Sequence, residues 1–303
     1  MSGVTELGYL TLGVSDLPAW KAFASDVLGL QVTDGPDRRS CYLRMDYWHH
    51  RVVLREDGTD DLGSIGWRVA GAAELDEIAH RLRDFEVPYR EGSKQEAADR
   101  QVLGFIALSD PGGAPTDIFY GPRIERGSPF HPGRPMHGPF VTGTSGLGHV
   151  VIEQTDPEKA EQFYTRVFGM RGSLELERKT ADSHLSLYFM SCNTRQHSLA
   201  FGNLRRGKKL SHVMTEHSRL EDVGLTRDLA RARKIPFRLE IGQHHNDSAL
   251  SFYLQTPSGW SWEVGWGVSP PTGQAEFGSS EIWGHEPGQA AAAPSAVQGR
   301  KSA

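Results

Sequence analysis

Cysteine is scarce: Cys41 and Cys192 are the only two in 303 residues. Two thiols cannot build a disulfide framework and neither sits in a CxxC pair, so both read as ordinary reduced side chains. Long hydrophobic runs are missing too, since none approaches the roughly 20 apolar residues that a membrane-spanning helix needs. The opening MSGVTELGYL lacks the basic and apolar regions of a secretory signal, which makes the cytoplasm the expected location. Charge is nowhere concentrated. The net value of -5 arises from 33 basic and 38 acidic residues without long blocks, so neither nucleic acid nor an anionic membrane is an expected partner. Low-complexity sequence is confined to EPGQAAAAPSAVQGRKSA at 286–303, small and polar and expected to be disordered.

What remains is 38% hydrophobic and 23% charged, enough to bury a substantial core and long enough for two domains. The main pattern is a repeat. LGYLTLGVSDLPAWKAFASDVLGL at 7–30 lies against LGHVVIEQTDPEKAEQFYTRVFGM at 147–170 without a gap, matching Leu7, Gly8, Asp16, Phe23, Val27 and Gly29 with Leu147, Gly148, Asp156, Phe163, Val167 and Gly169. Each copy predicts a strand, an Asp that caps a helix start, and an amphipathic helix closed by Gly. A second match sets DPGGAPTDIFYG at 110–121 against TPSGWSWEVGWG at 256–267, a turn feeding a strand. The expected fold class is therefore α+β. Two tandem domains would each contain a pair of β-α-β-β-β modules, with 1–122 non-catalytic, 123–144 a Gly- and Pro-rich linker, 145–285 catalytic and metal-binding, and 286–303 the tail.

The repeat makes three differences informative. His149 stands where the first copy has Tyr9, Glu263 where it has Asp117, and His212 where it has Ser64, the last through a weaker match of LSHVMTE with LGSIGWR. The second copy thus collects two histidines and a glutamate on three separate strands. Two imidazoles and one carboxylate on a face, with open positions remaining, form the facial triad of non-haem iron(II) enzymes that handle O2. A structural zinc site would fill four positions, usually with cysteine, and neither cysteine has the spacing.

The segments GLGHVVIEQTD, SCNTRQHSLAFG, LSHVMTE, HHNDSALSFYLQTPSG and WEVGWG resemble the type I extradiol ring-cleavage dioxygenases of the vicinal oxygen chelate superfamily. The likeness runs from about residue 5 to 285 and is strongest to the branch acting on bicyclic diols. It implies a glyoxalase/bleomycin-resistance-like fold with curved mixed sheets. It implies Fe(II), or less readily Mn(II), on His149, His212 and Glu263. It assigns His197 to proton transfer near bound oxygen, His244 and Tyr253 to hydrogen bonding with the substrate hydroxyls, and Asn246 and Asp247 to a polar pair beside the pocket. Related sequences often carry His where this chain has Gln196 and Ser211, departures that fall on the pocket wall. The implied partners are O2 and an aromatic diol of the 1,2-dihydroxynaphthalene or 2,3-dihydroxybiphenyl type, and a homo-oligomer, by resemblance an octamer. Val151, Phe189, Ala200 and Leu204 flank the ligand and His197 motifs on strand-like runs, which makes them the expected apolar wall.

Plainer readings apply to the other candidates. His49 and His50 are adjacent, and on a strand adjacent side chains point to opposite faces, so they are expected to be structural or superficial. His245 is expected to turn away from His244 for the same reason. His131 and His137 lie in the linker, and His80, His184, His217 and His285 have neither repeat nor motif support. Trp260, Trp262 and Trp266 fit a core stripe at least as well as a stacking platform. A larger polycyclic or steroid catechol remains an alternative substrate. A glyoxalase-type isomerase or a drug-binding protein on the same fold are the alternatives outside oxygenase chemistry.

Overall fold

The computed structural model describes residues 3–179, 184–205, 207–271 and 281–289. Asp16 and Asp156 cap helices as the repeat predicts, accepting from the backbone N–H of Ala19 at 2.8 Å and of Lys159 at 3.1 Å. Gly29 and Gly169 end these helical segments with φ of 81° and 71°, a left-handed conformation that favours glycine.

The first half runs β1 (Glu6–Val14), α1 (Leu17–Ala22), β2 (Gln31–Asp34), β3 (Ser40–Arg44) and β4 (Val52–Glu56), then β5 (Leu62–Arg68), α2 (Ala72–Asp84), β6 (Tyr89–Glu91), α3 (Lys94–Asp99), β7 (Gly104–Ser109) and β8 (Pro115–Tyr120). The second runs β9 (His149–Glu153), α4 (Pro157–Arg166), β10 (Arg171–Lys179), β11 (His184–Ser191) and β12 (Leu199–Gly202), then β13 (Leu210–His217), α5 (Leu220–Ala232), β14 (Phe237–His244), β15 (Leu250–Gln255), β16 (Ser261–Trp266) and β17 (Glu281–Gly284). Each half is a pair of β-α-β-β-β modules. Their strands join edge to edge in the orders β2-β3-β4-β1-β5-β8-β7-β6 and β10-β11-β12-β9-β13-β16-β15-β14-β17. The mixed sheets are those of the vicinal oxygen chelate fold expected from the sequence.

Strand alternation sorts the side chains. Val150, Ile152, Val213, Trp262, Val264, Phe252 and Leu254 belong to the main core with Phe163 and Tyr164 of α4 and Val223 and Ala230 of α5. Trp260 and Trp262 stack on each other and pack against Trp20 of the first half, the former tilted and the latter edge-on, so the core-stripe reading holds for both, whereas Trp266 is partly exposed. The opposite face of β9, β13 and β16 carries His149, His212 and Glu263. No helix among the described residues is long and apolar enough to cross a membrane.

Two differences from expectation concern the chain's path. His49 and His50 sit in a bend where strand alternation does not operate, and their Nδ1 atoms meet at 3.0 Å. They are not part of a three-ligand cluster among the described residues. The tail expected from residue 286 begins with ordered chain: Glu240 donates its N–H to the Glu286 carbonyl at 2.9 Å, and Gly288 donates to that of Arg238 at 3.0 Å. Residues 290–303 lie outside the described residues.

Candidate metal centre

The three repeat differences converge. Register places Met214 opposite both His149 and Glu263, and His212 opposite Val151 and Ser261, so all three candidates share one face of adjacent strands. In the first sheet Gly66 lies opposite Tyr9 and Asp117, and Ser64 opposite Thr11. The pairing is the same in both halves, and so is the register shift just before the third position, at Gly63 in one and at Ser211 in the other. A bulge of this kind re-aims the side chain that follows it.

His149 Nε2 lies 3.1 Å from His212 Nε2 and 3.1 Å from Glu263 Oε2, and His212 Nε2 lies 3.3 Å from the same oxygen. The carboxylate is 1% exposed, and neither of its oxygens has a hydrogen-bond partner despite these short approaches. A buried carboxylate that two imidazole nitrogens approach without a hydrogen bond is aimed, with them, at a common point. Metal–ligand bonds of about 2.1 Å meeting at right angles give edges of about 3.0 Å, close to the triangle found here. Two nitrogens and one oxygen on one side of that point therefore fit a mononuclear divalent metal with its other side open.

The surrounding residues are brought in by the loops and outer strands. His197 precedes β12, is 3% exposed, and lies against His149 with ring centroids 4.1 Å apart. Burial, and then the neighbouring His149, push its pKa well below the usual imidazole value, so it is neutral. Its Nδ1 meets Gln196 Oε1 at 2.5 Å. The amide oxygen can only accept, which puts the proton on Nδ1 and leaves Nε2 as the free base. The Gln196 departure thus touches the active site directly. His244 closes β14, and its Nε2 is 2.9 Å from the Tyr253 hydroxyl and 3.5 Å from Glu263 Oε1. Burial opposes its charge, but Glu263 and Glu281 outweigh that and raise its pKa to about 10. Glu263 is held well below the usual carboxylate range: burial works against the charge and the three histidines overcome it. Burial raises Tyr253 well above the ordinary phenol value, and its ring meets His212 edge-on at 5.2 Å.

The expected apolar wall divides. Ala200 pairs with Val151 and with Phe189, which puts all three on the face that carries the ligands, and Phe189 meets His197 edge-on at 5.0 Å. Leu204 stands past the end of β12 in the connection to β13, so strand register does not assign it to that face. Asn246 and Asp247 occupy the bend after β14. Asp247 is buried and closes that bend by accepting from the Ala249 N–H at 3.0 Å.

Sequence reasoning missed two residues. His285, set aside for want of a motif, lies against His244 with ring centroids 4.2 Å apart, and Glu281 bonds to both. These residues have no counterpart in the first copy, so the repeat carried no signal for them. A short WGH sequence beyond the repeat, at 283–285, was the only trace.

Comparison with known proteins shows the family. Residues 7–56 match the family described as dihydroxybiphenyl dioxygenase BphC D1, and residues 146–264 match the glyoxalase/bleomycin resistance protein/dioxygenase superfamily. The 1,2-dihydroxynaphthalene dioxygenase of Sphingobium xenophagum is 46% identical over 286 residues, covering 94% of this chain and 96% of that protein. The iron-dependent extradiol dioxygenase of Rhodococcus jostii is 35% identical, covering 93% and 97%. A crystal structure of a catechol 2,3-dioxygenase superposes with a TM-score of 0.91 at 50% identity, covering 95% of this chain and 96% of that one.

Proposed function

The chain belongs to the extradiol ring-cleavage dioxygenases of the glyoxalase/bleomycin resistance protein/dioxygenase superfamily, and from that premise we propose that it opens a bicyclic aromatic diol with O2 at an Fe(II) ion held by His149, His212 and Glu263. The observation that carries the reading is the buried Glu263 carboxylate, unbonded and facing two imidazole nitrogens at 3.1 and 3.3 Å. The iron ion, when bound, supplies open positions for both diol oxygens and for O2, and it acidifies a bound hydroxyl. In this reading residues 145–285 form the catalytic domain and 1–122 a non-catalytic one.

The protein's own groups divide the proton work. His244 and Tyr253, already hydrogen-bonded to each other, orient the diol and decide which of its hydroxyls gives up a proton. His197 is neutral, with Nε2 free, so it can accept a proton on the oxygen side and return it. Two histidines whose surroundings push their pKa values in opposite directions suit opposite roles.

The apolar face of Val151, Ala200 and Phe189 favours a second ring. At about 25 cal/mol per Å2, roughly 80 Å2 of extra buried ring surface corresponds to about 2 kcal/mol, or about thirtyfold in specificity constant. The name of the relative from Sphingobium xenophagum points the same way, and that of the solved catechol dioxygenase points to a single ring. Oxygen uptake by the iron-loaded enzyme across catechol, 3-methylcatechol, 1,2-dihydroxynaphthalene and 2,3-dihydroxybiphenyl decides between them. Higher kcat/KM for the monocyclic pair would overturn the bicyclic assignment, and no uptake with any diol would overturn the reading as a whole. A cytoplasmic homo-oligomer, expected as an octamer, completes the proposal and is checked by sedimentation.

A further inference from the structure

Strand β17 is an addition to the second sheet. The first sheet ends at β6, whereas the second continues past the equivalent β14 to one more strand. Its docking is tight. A Cβ on Gly242 would come within 2.3 Å of the His285 backbone nitrogen, and one on Gly284 within 2.3 Å of the Ile241 carbonyl oxygen. Two glycines thus let this strand approach β14 closely enough to bring Glu281 and His285 beside His244.

The contacts there are specific. Glu281 Oε2 lies 2.9 Å from His244 Nδ1 and 2.5 Å from His285 Nδ1. His285 Nε2 is 3.2 Å from Ser251 Oγ and 3.1 Å from the Ser251 carbonyl oxygen, anchoring the far side of that ring to β15. An ionised carboxylate only accepts, so both Nδ1 atoms carry protons. His244 therefore has one nitrogen committed to Glu281, and its other nitrogen, Nε2, faces Tyr253 at 2.9 Å. The contacts of 2.5 and 2.9 Å are hydrogen-bond lengths, shorter than the edges of the triangle formed by His149, His212 and Glu263, which favours a hydrogen-bonded triad over a second metal site.

We propose that Glu281, held in place by His285, is a positioning residue for His244: bonded to Nδ1, it fixes the orientation of the ring, so that Nε2 is the nitrogen that faces Tyr253 and the diol. The proposal rests on the reading of His244 as a residue that acts on the substrate hydroxyls. It gives β17 a role beyond covering a sheet edge, because a strand that only covered the edge would need neither the carboxylate nor the second imidazole.

The test compares Glu281→Met, Glu281→Ala, Glu281→Gln and His244→Ala in the full chain. Met keeps the side-chain volume and loses the acceptor, whereas Gln keeps an acceptor and loses the charge. Iron content, kcat and KM for 1,2-dihydroxynaphthalene are measured, and the His244 Nδ1 hydrogen bond is read by 15N NMR of histidine-labelled, zinc-substituted protein, which is diamagnetic. The expected result for Met and Ala is retained iron, a kcat lower by about tenfold or more, KM within about threefold, and loss of the Nδ1 hydrogen bond. Gln is expected to restore that hydrogen bond and most of the lost kcat. Unchanged kcat or an unchanged Nδ1 signal in the Met variant overturns the proposal, as does loss of iron, which marks a merely structural part. A Gln variant that keeps the hydrogen bond yet stays as slow as Met also overturns it, because charge and not position would then matter. Full turnover by His244→Ala would instead overturn the underlying role of His244, so the two failures are distinguishable.

Discussion

The two halves of this chain hold the same framework around opposite contents. In the first, Tyr9 and Ser64 point at Asp117, and the cation that balances Asp117 is a side chain: Arg100 Nε lies 2.9 Å from its Oδ2, and the Tyr9 hydroxyl 2.8 Å from the same oxygen. In the second, the donor atoms of His149, His212 and Glu263 lie 3.1–3.3 Å apart, and among the described residues no lysine or arginine is paired with Glu263. The remaining positions differ in the same sense. Phe105 and Phe119 pair in the first sheet where Ser251 and Gly265 pair in the second, and Ala107 stands opposite Asp117 where Tyr253 stands opposite Glu263. The first half adds α3 in the connection 92–103, and Tyr9, Trp48, Ala97, Val102, Phe105 and Phe119 fill that face as a cluster of their own. The second half crosses the same gap with the short bend 245–249 and carries the proposed metal and substrate site on that face. Each sheet has a buried carboxylate at its centre; in the first half an arginine pairs with it, and in the second three histidines converge on it in a geometry that fits a metal.

The sharpest break of this comparison is His212→Ala, which returns one position of the second half to a small side chain. Iron is expected to fall from stoichiometric to absent with all ring cleavage lost, as measured by elemental analysis and oxygen uptake; a variant that keeps its iron would undo the assignment. His197→Gln leaves the triad whole and removes only the free base. Metal and diol binding should persist while kcat drops by about 100-fold or more, the scale of general acid–base catalysis. Loss of iron in that variant would mean that His197 is a ligand.

Arg100→Met tests the first half. Asp117 is left buried without its cation, at a cost of about 2–3 kcal/mol, below that of a fully buried pair because the Arg100 side chain is 26% exposed. Urea unfolding should shift accordingly, with iron content and kcat per folded chain unchanged, and adding Asp117→Asn should recover part of the loss. The smallest effect is on pH. Burial, then His49 and Arg51, lower His50 in the first half to about 3, and burial, then Arg134, lower His217 in the second to about 4. Both folded values lie below that of an unfolded histidine, near 6.5. The unfolded chain therefore binds protons that the folded chain refuses, and stability present above about pH 6.5 is lost as pH falls toward 4. Each histidine contributes a slope of up to about 1.4 kcal/mol per pH unit. Unfolding midpoints at pH 7 and 5 for the parent and for His217→Leu should show about half of this pair's slope removed.

Much of this was legible in the chain because it is written twice. A gap-free repeat fixes which residues are equivalent, and period-two alternation fixes which of them share a face, so the triad could be read from Tyr9, Ser64 and Asp117 turning into His149, His212 and Glu263. Alternation failed where the backbone is irregular. His49 and His50 were expected to diverge and instead meet, and Leu204 was expected on a strand that ends before it. The relation of Gln196 to His197 was visible only as a departure from relatives, with no sign that the amide would set the tautomer.

The sequence by itself thus determined the module, its duplication and the half that carries the ligands, which follow from local periodicity compared between two copies, and the class of chemistry, which follows from the resemblance of its motifs to a known family. Tertiary structure alone decided that Arg100 takes the cation's place in the first half and that Glu281 and His285 come to His244 in the second. Those contacts depend on how loops and an added strand fold across a finished sheet. Periodicity within a strand tells which way a side chain points, but it carries no information about which distant segment will come to lie on top of it.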